Sequence, residues 1–221
     1  MKRVNKSIKI LSVIVTIAVV LSLFGHRLAF ADEISDDADD PMTDYLNPAA
    51  SVSTQIVIQP DNDTCGPASA YMALKGCGVA SYISGNTTED KIHTLAIQMS
   101  TTSDGTSVPN LRNGMNYYLS TKLYSSTLCT NMSLYTFKNK IYYSLSNGRI
   151  VILHAKTNYL GYYNGHSFWH YIAVQACDEG QFNLTLYDSN KNLSYYGIHT
   201  VPASEAYNSI HAVAGRYIIT Y

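Results

Sequence analysis

The chain has 221 residues, with 15 Lys and Arg against 16 Asp and Glu, and is 46% hydrophobic and 14% charged. That balance excludes a disordered chain and suffices for a core in one domain, or at most two small ones. The charges are segregated: every acid follows residue 31 and five bases precede it, so residues 32–221 carry 10 bases against 16 acids, which argues against nucleic acid as a partner.

Lys2, Arg3, Lys6 and Lys9 lead into an apolar run over residues 10–24, and Ala29-Phe30-Ala31 precedes Asp32. A basic start, an apolar middle and a small-x-small exit read as a secretory signal peptide over residues 1–31, with a long basic leader of Gram-positive bacterial style. At about 1.5 Å per residue the run spans only about 22 Å, short of a hydrocarbon core of roughly 30 Å. Cleavage is therefore expected, giving a secreted or extracellular chain with no stable membrane insertion.

Residues 32–44 hold Asp32, Glu33, Asp36, Asp37, Asp39, Asp40 and Asp44, and Pro41, Asn47 and Pro48 punctuate the stretch around them. With almost nothing to bury, such a stretch stays solvated. Residues 32–54 thus read as an acidic linker or a pro-segment, and residues 55–221 as one domain of ordinary size. Residues 55–58 alternate weakly, a candidate strand entering the polar loop 59–64. A first helix follows, with Pro67 in its opening turn, Ala68, Ala70, Ala73 and Leu74 along it, and Gly76 and Gly78 at its end. Thr87, with Asp90 three residues on, caps a second that carries Ile92, Leu95, Ala96 and Met99. Ser107 and Pro109 start a third with Leu111, Met115, Tyr118 and Leu119, and Phe137, Ile141 and Leu145 mark a fourth that ends at Asn147-Gly148.

The character changes at Arg149. Residues 149–155 are apolar and β-branched, a loop rich in Gly, Tyr and Asn spans 158–165, and a second apolar run covers 169–176. A turn at 178–181 leads to an alternating run at 182–188, and 216–221 is a last strand. Helices first and antiparallel strands second predict an α+β domain rather than a doubly wound sheet.

Four residues on these elements carry chemistry. Cys65 sits where the polar loop becomes the first helix, and the partial positive charge of a helix N-terminus favours a thiolate, a strong nucleophile, over a thiol. Gln59, six residues earlier, is close enough to aim its amide N–H at the oxygen of a carbonyl under attack. His170 opens an apolar strand whose end holds a side chain rigidly, suited to pairing with Cys65 and protonating a leaving amine. Asp188 ends the following strand and can orient the ring. Each has a plain structural alternative. Cys65, Cys77, Cys129 and Cys177 can pair as two disulfides, or as one bridge and a spare thiol if Cys65 stays free. Gln59 taken alone is a surface glutamine, and Asp188-Ser189-Asn190 taken alone is a turn signal. His166 is a rival base, less firmly held beside the Gly-rich loop, and His154 reads as structural. His166, His170 and Asp188 can be drawn as a metal set, but there is no paired CxxC and no HExxH, so neither metal nor cofactor is expected.

The stretch Gln59-Pro60-Asp61-Asn62-Asp63-Thr64-Cys65-Gly66-Pro67-Ala68-Ser69-Ala70, with His170-Tyr171-Ile172-Ala173-Val174 and Asp188, resembles the papain-like cysteine peptidases related to bacteriocin double-glycine leader peptidases. Gly105-Thr106 is similar in that group as well. The resemblance implies an N-terminal helical lobe packed on a C-terminal antiparallel sheet lobe, with the active-site cleft between them. It also implies Cys65 as nucleophile, His170 as general base and acid, Asp188 as its orienter and Gln59 as oxyanion donor. Leader-processing members usually lie in the cytoplasm ahead of a transporter, whereas this chain carries an export signal, so their substrate does not transfer.

Three readings follow. The first is a monomeric secreted thiol peptidase cleaving peptides or proteins. The second keeps the same residues in an amidase or transamidase acting on cell-wall peptides. The third is a non-catalytic peptide-binding surface domain, for which the 19 tyrosines and the cluster Tyr159, Tyr162, Tyr163, Phe168 and Trp169 would serve as grip.

Overall fold

The computed structural model describes residues 47–181, 183–212 and 217–221. The expected signal peptide and the acidic stretch as far as residue 46 lie outside the described residues, as do Phe182 and Arg216, the expected first residues of two strands. Strand β1 (Ala50–Ser51) precedes α1 (Cys65–Gly76), α2 (Thr88–Gln98) and α3 (Val108–Asn116). Then come β2 (Ser125–Leu128), α4 (Leu134–Ser146), β3 (Val151–Lys156), β4 (Trp169–Cys177), β5 (Asn183–Asp188), β6 (Gly197–Pro202), α5 (Ala203–His211) and β7 (Tyr217–Thr220).

The helices start where their caps dictate. Thr87 Oγ1 accepts from the Asp90 N–H at 3.0 Å while Asp90 Oδ2 accepts from the Thr87 N–H at 2.9 Å, closing a reciprocal capping box on α2. Ser107 and Ser133 cap α3 and α4 through their hydroxyls. Helix α1 is different: every residue from Cys65 to Leu74 is buried, so it is the central helix of the molecule rather than an amphipathic cover. Its small residues let it lie close to β4, where Ser69 Oγ donates to the Tyr171 carbonyl at 3.1 Å.

The sheet is antiparallel throughout, in the order β2-β7-β3-β4-β5-β6. Its centre is the core, with Ile152, Leu153, Ile172, Val174, Leu184, Leu186, Ile218 and Ile219 all without exposed surface. β1 takes up the edge of β4 beyond Val151, the first residue of β3, pairing Ala50 with Cys177 and Ser51 with Ala176. A bulge at Gln175 shifts the β4–β5 register, and the extra residue clasps Val52: Val52 N–H donates to the Gln175 carbonyl at 3.0 Å, and Gln175 Nε2 to the Val52 carbonyl at 2.8 Å.

The sequence expectations differ from this in four places. Residues 55–58 form no strand; the chain crosses there from the sheet edge to the start of α1, with Val57 buried and Ile58 exposed. Strand β1 lies inside the stretch read as linker, and Val52 is only 5% exposed, so the folded domain begins before residue 55. β2 and β6 carry too few apolar residues to stand out, being short strands at the two edges of the sheet order. α5 announces itself only through Ala203, Ala206 and Ile210, small or isolated residues at helical spacing.

The clasp around Val52 sets a measurable contribution. A chain beginning at Gln55 loses the β1 pairing and the burial of Val52, and should unfold with about 2 kcal/mol less stability than one beginning at Asn47. Urea titration of both proteins checks this, and equal midpoints would show that β1 adds nothing.

Candidate active site

Three elements bring the site together. Cys65 is the first residue of α1, and the preceding Thr64 does not cap the helix: its hydroxyl turns back to the Asp61 carbonyl at 2.9 Å. No acidic side chain occupies the first turn of the helix, so its partial positive charge stays directed at the Cys65 sulfur. His170 is the second residue of β4, 3% exposed, and within hydrogen-bonding reach of Cys65. Asp188 is the last residue of β5, with no exposed surface.

The sheet register explains the last pairing. Ala173 lies opposite Tyr187 and Val174 opposite Leu186, so one step further Asp188 faces Ile172. His170 is on the same face of β4, two residues along, which makes it the diagonal neighbour of Asp188. Their side chains close that gap: His170 Nε2 sits 2.9 Å from Asp188 Oδ1, leaving Nδ1 as the ring nitrogen for Cys65.

Gln59 reaches the site through its backbone, whose N–H donates to the Ser189 carbonyl at 2.7 Å, one residue past Asp188. Its side chain is 4% exposed, with Nε2 donating one hydrogen to the Asp61 carbonyl at 2.7 Å. The second amide hydrogen remains, and the side-chain oxygen, also buried, has no partner among the described residues. The loop before α1 thus delivers both Gln59 and Cys65 to the end of the sheet where β4 begins and β5 ends.

Burial alone would push the Cys65 thiol up, but the charge and hydrogen bond of His170, with the backbone N–H groups of Tyr171 and Gly66, hold it below its ordinary value. Burial would lower His170, yet the charges of Asp188 and Cys65 and their hydrogen bonds raise it to about 10. Burial would likewise raise Asp188, and the His170 charge, followed by hydrogen bonds from His170, Tyr163 and the Asn190 backbone, keeps it low. The three buried groups thus favour one another's charged forms in alternation: thiolate, imidazolium, carboxylate. At the other thiols burial outweighs the partners that would lower them, among them the Arg149 charge at Cys77 and the Lys140 charge at Cys129. Burial raises Cys77 and Cys177 and pushes Cys129 up to about 11.

Gly66 suits the close packing of this corner. A Cβ there would stand 3.1 Å from Thr106 Cβ and 3.2 Å from Tyr171 Cδ2. Thr106 belongs to the loop with Gly105, and its carbonyl accepts from Tyr171 Oη at 2.8 Å, so this loop, α1 and β4 meet at the helix start.

A cavity of about 400 Å³ opens beside His170, walled by Gln59, Asn62, Phe168, Trp169 and Tyr195. Of the aromatic cluster expected to grip a ligand, Phe168 and Trp169 line this cavity, with Lys156 Nζ 4.3 Å from the centroid of the Trp169 ring. Tyr162 and Tyr163 do not. Both hydroxyls turn inward to Asp188 Oδ2, at 2.9 and 2.6 Å, a role that the sequence gives no sign of. Asn190 reads in the sequence only as part of a turn, and Tyr195 lies on a loop without a motif of its own, so neither stands out as a wall of the cavity.

His166, the rival base, is exposed, packs against Tyr195 at 5.8 Å between ring centroids, and is not among the groups that act on the Cys65 thiol. His154 stacks on Tyr171 at 4.5 Å between ring centroids, as a structural histidine. All four cysteines are free, so no bridge joins Cys77, Cys129 or Cys177. Among the described residues no three His, Cys, Asp or Glu side chains gather as a metal set. Nor is any described helix long and apolar enough to cross a membrane.

The sequence family described as Peptidase_C39 like family matches residues 51–217. Comparison with curated proteins finds no match. Among solved structures, a C39-like peptidase from Bacillus anthracis aligns at 15% identity and a TM-score of 0.52, covering 79% of this chain and 98% of that one. The peptidase domain of Streptococcus ComA, a bifunctional ABC transporter, aligns at 17% identity and a TM-score of 0.46, covering 76% and 98%. A double-glycine-motif protease from an AMS/PCAT transporter, solved with its leader peptide, aligns at 13% identity and a TM-score of 0.48, covering 77% and 94%. The Bacillus anthracis structure agrees with the helices and antiparallel sheet described above, a papain-like α+β fold.

Because Cys65 alone is held below the ordinary thiol range, iodoacetamide at about pH 6, where ordinary thiols are almost wholly protonated, should label Cys65 and spare the rest. Peptide mapping of the alkylated protein reads the outcome, and equal labelling of all four thiols would contradict the charge arrangement.

Proposed function

The chain belongs to the Peptidase_C39 like family, and from that premise we propose that it is an exported thiol peptidase that cleaves peptide bonds through a Cys65 thioester. The observation that carries the proposal is the buried line from Cys65 through His170 to Asp188, beside a cavity that His170 and Gln59 line.

In this reading the Cys65 thiolate attacks the carbonyl carbon of the scissile bond, and the C=O π pair moves onto oxygen. The second Nε2 hydrogen of Gln59 and the Cys65 backbone N–H bind that oxyanion, a contribution of roughly 3 kcal/mol for one well-placed donor. As the tetrahedral species collapses, the C–N bond breaks and His170 gives its Nδ1 proton to the departing amine. A thioester remains. Water then loses a proton to the neutral His170 and attacks the thioester carbonyl, releasing a carboxylic acid and restoring thiolate and imidazolium. Asp188 holds the ring by Nε2 throughout, so the proton-bearing Nδ1 stays aimed at the sulfur. The cavity lies on the imidazole side, where the leaving amine and the residues after it emerge, and its walls of Trp169, Phe168 and Tyr195 suit a peptide rather than a small amide.

Export rests on residues 1–31, whose basic start, apolar run and Ala29-Phe30-Ala31 exit form a complete signal. Expressed in a Gram-positive host, the protein should be recovered from the medium with Asp32 at its amino terminus, and retention in cells of a chain that still begins at Met1 would contradict export.

A peptide-library digest tests the chemistry. The wild-type protein should release new amino and carboxyl termini, and Cys65→Ala should lose on the order of 10⁴-fold or more of the rate. Products joined to an added amine would redirect the reading to a transamidase. An unchanged library with a protein whose Cys65 still alkylates at about pH 6 would leave only a binding role.

A further inference from the structure

We infer that Tyr162 and Tyr163 are positioning residues that act as a paired clamp, holding the Asp188 carboxylate anionic and fixed so that His170 stays oriented toward Cys65. The inference rests on the proposed role of that pair, but its geometry is independent of any substrate.

A carboxylate has about four lone-pair sites, and all four of Asp188's are filled. His170 Nε2 and the Asn190 N–H occupy Oδ1, each at 2.9 Å, and the two phenols share Oδ2. The phenols are neighbours in sequence, and side chains one residue apart do not normally converge on one atom. The Gly161–Tyr163 turn makes it possible: it is a tight 3₁₀ turn closed by Asn164 at φ 50° and Gly165 at φ 81°. The turn is pinned from outside by Glu205 on α5, whose Oε1 accepts the Gly161 N–H at 2.7 Å.

Each ring is also held sideways. Tyr162 stacks face to face on His199 of β6, at 3.7 Å between centroids and 4° between planes. Tyr163 packs against Tyr195 at 4.5 Å, and its hydroxyl accepts from Asn190 Nδ2 at 3.3 Å. Cavity wall and clamp therefore meet at the same rings. Burial, followed by the Asp188 charge, keeps both phenols protonated far above the ordinary tyrosine range, so they act as donors. The titratable groups around this carboxylate are His170 on β4, Cys65 on α1, the two phenols, and behind Tyr162 the side chains of Glu205 and His199.

Tyr163→Phe keeps the ring and removes only the 2.6 Å donor, and Tyr162→Phe does the same at 2.9 Å. The measurement is a pH titration, by ¹⁵N NMR, of the His170 Nε2–H resonance, which reports protonation of the carboxylate it bonds. The acid midpoint should move up by about one pH unit for either variant, and further for the double variant. Wild-type Cys65 labelling by iodoacetamide at about pH 6 separates the two ideas: if wild-type Cys65 is inert, the thiol-peptidase reading fails whatever the midpoints do. If it is reactive while the midpoint of folded Tyr163→Phe, Tyr162→Phe and the double variant coincides with wild type, the clamp alone is overturned. Should Tyr163→Phe fail to fold, the less deeply buried Tyr162 position supplies the deciding variant.

Discussion

A carboxylate with no exposed surface is tolerated in a fold only when its charge is countered and its lone pairs are filled. Asp188 satisfies both conditions, with His170 as counter-charge and four donors drawn from β4, the turn after β5 and the Gly161–Tyr163 segment. Those donors lie far apart in the chain, so meeting them constrains the entire end of the sheet. Losing one leaves a buried charge short of a partner, which costs more than an ordinary hydrogen bond contributes. The geometry at Cys65 inherits this rigidity, because the ring that faces the sulfur is fixed on its far side by the carboxylate.

The second constraint is the closeness of α1 to β4. A helix that presents its N-terminus to a strand can supply a favourable potential only over a few ångströms, since the effect is confined to the first turn. Here the approach is allowed by what the helix lacks: Gly66 has no Cβ to meet Thr106 and Tyr171. Ser69 then turns a potentially unpaired hydroxyl into a tie to the Tyr171 carbonyl. The depth at which the central helix is set thus does two things to the sulfur: it buries it, and it brings it to the His170 ring that favours its thiolate form.

How far the sequence disclosed this depends on whether a feature is local. Capped helices such as α2, with Thr87 and Asp90 closing a box, are written in a few adjacent residues and are visible at once. So are Cys65 at a helix start and His170 at the mouth of an apolar strand. Asp188 was legible but ambiguous, because Asp188-Ser189-Asn190 reads as a turn, and the structure shows both functions together: Oδ1 accepts the Asn190 N–H as in a turn and holds His170 as well. The Tyr162–Tyr163 clamp was not legible, since two tyrosines in a Gly-rich loop look like exposed aromatics until the loop's left-handed residues are known. β1 was hidden for a related reason. Two residues with no periodicity become a strand only because a bulge in a distant strand offers Gln175 to Val52.

The unpaired cysteines fit the same logic. Small exported domains lean on disulfides when their cores are too small, whereas a domain of this length buries enough apolar surface without them. Ile152, Leu153, Ile172, Leu186 and Ile218 form a continuous interior that needs no covalent staple. Cys129 and Cys177 contribute to that interior as small apolar side chains, and burial holds them as inert thiols. Leaving every thiol unpaired has a functional side: with no neighbouring half-cystine in the fold, Cys65 is not drawn into a bridge and its sulfur remains available. What distinguishes it from its three counterparts is its surroundings alone, a helix end beneath it and a charged ring beside it.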